Sequence, residues 1–130
     1  MNNKKELFLS YIKANVIPVL VDFISSEDLE DSIVLPADIN VKELNGRYDG
    51  IDFVPPKWLS ELLNTSNSRI LVIDKIDSIT KEEQAKFIEL LKYRKISTFE
   101  LPQNVIIVVT ANDINKNTIN EEIFSLVAQI

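Results

Sequence analysis

Three apolar runs of this chain end in side chains able to handle a hard cation. "VIPVLVDFI" carries Asp22, "RILVIDKID" carries Asp74 and Asp77, and "NVIIVVTAN" closes on Thr110 and Asn112. Carboxylates and an amide converging on one point would hold magnesium, and bound magnesium would serve phosphoryl chemistry. The competing reading is that strands end at the surface, where polar residues are ordinary, and spacing alone favours it. Lys75, next to Asp74, also works against a cation, because an adjacent ammonium repels it. The chain has no histidine and no cysteine. The usual general base, a thiolate nucleophile and the commonest transition-metal ligands are therefore missing from the sequence.

These residues depend on the elements that carry them. The three runs, rich in valine and isoleucine, read as buried parallel strands. Asn3 to about Asn15 reads as an opening helix with Leu7, Phe8, Tyr11 and Ile12 on one face. "TKEEQAKFIELLKYRK" is the best helix start, with Thr80 and Glu83 spaced as a capping box and Phe87, Ile88, Leu90 and Leu91 facing the core. "PPKWLSELLN" predicts a helix whose Trp58 is a core or hinge residue rather than a docking aromatic. Asn120 to about Ser125 predicts a last helix before "LVAQI".

The segment from Ile33 to Trp58 reads as an irregular connection. It holds both glycines, with a small hairpin expected around Gly46 to Gly50. "KISTFELPQ" suggests a second short hairpin, and "SSEDLEDS" a solvated acidic loop capped by Ser25 or Ser26. Arg94, at a helix end, is expected to serve the helix dipole or a salt bridge, and Arg69 is the other arginine that could reach a phosphate. Strands alternating with helices imply an α/β fold, a three-layer αβα arrangement around a parallel sheet. No repeat or linker divides residues 1–130, so a single domain is expected.

A net charge of −6 argues against a nucleic-acid partner. No apolar run approaches the roughly 20 residues of a membrane span. Glu6, Ser10 and Lys13 interrupt any signal-peptide core, and a cytoplasmic protein is the expectation.

The order of the pieces is specific. "ILVIDKID", a capped helix ending "LLKYRKI", and "LPQNVIIVVTAND" together resemble the AAA+ ATPases, above all the MoxR-like and dynein-related group. "IPVLVDFISSEDLEDSIVLP" and "FVPPKWLSELL" resemble that group's second strand and the phrase before its Walker B strand. "EEIFSLVAQI" resembles the segment that carries its arginine finger. The family's sheet order is 5-1-4-3-2. With the first strand lost, the resemblance implies a remnant of order 4-3-2, "RILVIDKI" in the middle, with "LVAQI" able to add an edge beside "NVIIVVTA".

The departures decide what such a domain could do. No G-x-x-x-x-G-K-[ST] phosphate loop is present, and the chain reads as starting just after it. Asp74 matches the Walker B aspartate, but Lys75 stands where the water-polarising glutamate belongs, and a protonated lysine cannot accept a proton. Asn112 matches the sensor 1 asparagine, and Leu126 stands at the arginine-finger position. The resemblance therefore implies a catalytically inactive domain that needs no cofactor and binds a protein, an intact AAA+ ATPase first among the candidates. Two alternatives stay open. One is residual Mg–ATP binding through Asp74 and Asn112, alone or as part of a split MoxR-like ATPase. The other is a carboxylate–metal phosphoryl-transfer enzyme using Asp22, Asp74 and Asp77.

Overall fold

A computed structural model describes residues 3–14, 17–29, 32–64 and 70–130. Asn15, Glu30, Asp31 and Arg69, which figure in the sequence reading, lie outside the described residues. In chain order the elements are helix α1 (Asn3–Ala14), strand β1 (Val19–Val21), strand β2 (Ile33–Pro36), helix α2 (Val41–Asn45), strands β3 (Arg47–Asp49) and β4 (Asp52–Val54), and helix α3 (Lys57–Asn64). Strand β5 (Ile70–Asp74), helices α4 (Lys81–Gln84) and α5 (Ile88–Tyr93), and strands β6 (Lys95–Ile96) and β7 (Phe99–Glu100) follow. Strand β8 (Ile106–Thr110), helix α6 (Glu121–Leu126) and strand β9 (Ala128–Gln129) complete the set.

Five strands form one parallel sheet in the order β2-β5-β8-β1-β9. Alternation along each strand sorts its residues between two faces. Leu20, Leu71, Ile73, Ile107 and Val109 join the larger core with Trp58, Leu59, Phe87, Leu90 and Ile123 from the helices. Val19, Val21, Ile106 and Val108 form a smaller core on the other face, beneath Phe8 of α1. Helices therefore cover both faces, as an α/β arrangement requires.

Two placements differ from the sequence reading. The expected remnant put "RILVIDKI" in the middle, yet β8 is central, flanked by β5 and β1. All five residues of β8 are buried, whereas both ends of β5 are only half-buried, and the strand apolar on both faces belongs in the centre. The expectation that "LVAQI" borders "NVIIVVTA" also fails, because both sides of β8 are taken. β9 instead pairs with β1, Ala128 N–H donating to Pro18 O at 2.8 Å and Ile130 N–H to Leu20 O at 3.1 Å.

The other sheet edge is β2, which lies inside the segment read as irregular and pairs in register from Ile33–Leu71 to Pro36–Asp74. Ala37 N–H donates to Asp74 O at 3.1 Å, so the ladder's alternation turns the backbone of Pro36 outward. A residue without an N–H suits that edge, and its carbonyl is taken by Ile39 N–H at 3.0 Å. Both expected hairpins form, β3–β4 and β6–β7, and the Tyr48 hydroxyl and Ser97 Oγ join them at 3.0 Å. Trp58 is a core residue whose Nε1 donates to Leu44 O at 2.9 Å. Among the described residues, no helix is long and apolar enough to cross a membrane.

Candidate functional site at the strand ends

Adjacent strands whose connections leave in opposite directions open a crevice at their carboxyl ends. In this sheet that pair is β1 and β8: the chain leaves β1 toward β2 and leaves β8 toward β9. A depression of about 300 Å3 lies there, lined by Asp22 to Ser25 and Asp28 after β1, Asp74 and Lys75 at the end of β5, and Thr110 to Asn112 at the end of β8.

The floor is a short hydrogen-bonded chain. Thr110 Oγ1 donates to Asp74 Oδ1 at 2.9 Å and accepts the Lys75 N–H at 2.9 Å. Thr110 is buried and Asp74 half-buried, so each polar group has a partner where water is scarce. Lys75 adopts a left-handed backbone, φ 56° and ψ 54°. Its side chain is exposed and makes no ion pair among the described residues. Across the depression, the Asp28 carboxylate accepts the Ser25 N–H at 3.0 Å and the Ser25 hydroxyl at 3.2 Å, holding the turn after β1. Phe23 and Ile24 add apolar wall.

Asp22, Asp74, Lys75 and Asn112, picked from the sequence, thus meet around one depression. Asp77 takes a different role. Its carboxylate accepts the Asn112 N–H, 3.1 Å to each oxygen, and the Asp113 N–H at 2.9 Å. Two backbone donors occupy it, so it clamps the loop after β8 to the end of β5. Among the described residues, no three side chains of His, Cys, Asp or Glu cluster together, so Asp22, Asp74 and Asp77 are not gathered at one point. Leu126 ends α6 and lines a hollow with Pro18 and Arg94, which precede or lie apart from the carboxyl ends of the strands.

Gln84 went unnoticed in the sequence reading and organises the site from behind. It is fully buried, and its Nε2 donates to Thr118 O at 2.7 Å, Ile76 O at 3.1 Å and Ile79 O at 3.3 Å. Its Oε1 accepts the Asn120 N–H at 2.8 Å, and Asn120 Nδ2 donates to Lys81 O at 2.9 Å. One amide therefore ties the turn after β5 to the loop after β8. Its signal was its place on the apolar face of the capped helix, three, four and seven residues before Phe87, Ile88 and Leu91.

Lys86 lies on the same helical stretch, bonded to Ile39 O. Desolvation lowers its pKa below the ordinary lysine value, opposed by Glu83 and Asp38. It lines a separate hollow with those acids and takes no part in the strand-end depression.

Chemically, the depression offers carboxylates, a buried hydroxyl and one exposed ammonium. No protein-family model matches the chain, and no curated protein matches it.

Proposed function

We propose that the protein is an AAA+-like domain without ATPase activity that works by binding protein, with an intact AAA+ ATPase as its partner. The observation carrying this reading is the strand order. Taken from the other edge, β9-β1-β8-β5-β2 has the pattern 5-1-4-3-2 of that family. On this reading β1 corresponds to the first strand, not the second, and the segment after β1 stands where the phosphate loop would be. That segment, Asp22 to Ser32, has no glycine and no lysine and carries Glu27, Asp28, Glu30 and Asp31. Carboxylates in place of backbone donors and a lysine repel phosphate rather than cradle it. Asp74 and Asn112 remain at their matching positions beside Lys75, where a proton acceptor would be needed.

Purified protein with magnesium and ATP should release no phosphate above the blank, and Lys75→Glu should not rescue it, since the phosphates would still lack their cradle. Turnover that disappears in Asp74→Ala would overturn the inactive reading. Saturable binding of a fluorescent ATP analogue, weakened in Asp74→Ala, would favour residual nucleotide binding. The partner is tested by co-elution with a MoxR-like ATPase from the same source and by a change in that enzyme's rate. Separate elution and an unchanged rate would remove it.

A further inference from the structure

At the end of the sheet opposite the depression, the ends of α5 and α6 and the segments before β1 and β8 enclose a hollow of about 380 Å3. Its floor is apolar, formed by Ile17, Pro18, Leu91 and Leu126, and Ile17 is 43% exposed. Its polar lining is Lys92, Arg94, Gln103 and Ser125, and the Lys92 ammonium lies over the Tyr93 ring, 5.3 Å from its centroid. Three other hollows each set a lysine among carboxylates: Lys75 with Asp22, Asp28 and Asp74, Lys86 with Asp38, Glu82 and Glu83, and Lys57 with Glu43 and Glu61. Here two cations stand with no acidic residue among the described lining, on a chain of net charge −6.

Arg94 is the fixed element. It ends α5 in a left-handed conformation, and its Nη2 donates to Val105 O at 2.6 Å and Pro102 O at 3.0 Å. Its Nε and Nη1 have no hydrogen-bond partner among the described residues. Burial lowers its pKa from the ordinary guanidinium value, the mark of a cation that has lost water without gaining a carboxylate. Held in place with the N–H groups of Nε and Nη1 to spare, it can offer single charge-assisted donors to an anion.

We propose that this hollow docks an acidic segment of a protein partner, a carboxylate meeting Arg94 and Lys92 while a neighbouring apolar side chain covers Leu91 and Leu126. A free phosphate would leave the apolar floor wet. The acidic remainder of the surface repels such a segment elsewhere and so directs it here. The inference stands apart from the AAA+ reading, because it uses neither the strand order nor the strand-end depression.

The test is a dye-labelled peptide of two leucines flanked by glutamates, titrated against the whole protein by anisotropy beside its glutamine counterpart. Lys92→Glu and Ser125→Asp alter exposed positions, and unchanged melting verifies that both variants fold. The glutamate peptide should bind, the glutamine peptide should not, and each variant should weaken binding by about tenfold, the worth of a charged hydrogen bond. Four results overturn the proposal. They are no binding, equal binding of both peptides, unchanged binding in both variants, and displacement of the peptide by inorganic phosphate at equal concentration. Self-association that Lys92→Glu abolishes, without peptide binding, would also overturn it and assign the hollow to a second copy.

Discussion

Gln84, fully buried, holds four backbone groups from two loops, and no hydrophobic side chain can replace that. Gln84→Leu keeps the volume but strands three carbonyls and the Asn120 N–H. The expected loss is about 3 kcal/mol, read from the urea midpoint, because unsatisfied buried groups cost more than their bonds contribute. A loss under about 0.5 kcal/mol would show that the amide is not the clamp. Lys75 makes the opposite point. Its left-handed backbone costs an L-residue about 1–2 kcal/mol, and its side chain makes no ion pair among the described residues to offset that. Lys75→Gly should therefore raise the melting temperature, while the β-branched Lys75→Val should lower it. If both variants melted like the parent, the backbone at the end of β5 would not be left-handed in solution.

Within the β3–β4 hairpin the two glycines answer to different constraints. Gly46 precedes β3 at φ 78°, and a Cβ there would lie 2.5 Å from Val54 O. Gly50, in the turn at φ 66°, has nothing within 4 Å of such an atom. Gly46→Ala should cost backbone strain plus a clash with the partner strand, about 2–4 kcal/mol. Gly50→Ala carries the strain alone, about 1 kcal/mol. Chemical denaturation of the two variants gives the ranking, and equal costs would mean that the hairpin opens without difficulty. Helix α4 is secured by a different local device. The Glu83 N–H donates to Thr80 Oγ1 at 3.1 Å and the Thr80 N–H to Glu83 Oε2 at 3.4 Å, as the spacing in the sequence requires.

Across the whole molecule, the sheet has two exposed edges of different kinds. β2 is blunted by Pro36, whereas β9 is only two residues long and shields the longer apolar sequence of β1. Deleting Leu126 to Ile130 removes the donors to Pro18 O and Leu20 O and bares β1, not β8 as the sequence alone suggested. Unpaired groups beside Val19, Leu20 and Val21 invite pairing with another chain. The truncated protein should therefore oligomerise or aggregate, as light scattering would register. A truncated chain that stayed monomeric and equally stable would mean that β9 is dispensable to the edge.

What the sequence determined by itself is local. The helices from Lys57, Lys81 and Glu121, the capping box at Thr80, the hairpins at Gly50 and Ser97, and the three principal strands all follow from periodicity, caps and turn residues only a few positions apart. So does the choice of Asp22, Asp74 and Asn112 as strand-end groups, because alternating strands and helices send those ends to one side. The tertiary structure decided which strand is central, which edge β9 covers, and that four residues read as irregular form β2. It also turned Asp77 from a metal candidate into a clamp, set Leu126 apart from the carboxyl-end site, and gave Gln84 its partners 34 and 36 residues away. The physical reason is one of range. Propensity and capping act between neighbours along the chain, whereas strand pairing and buried hydrogen bonds are settled by burial among segments that meet only when the whole sheet forms.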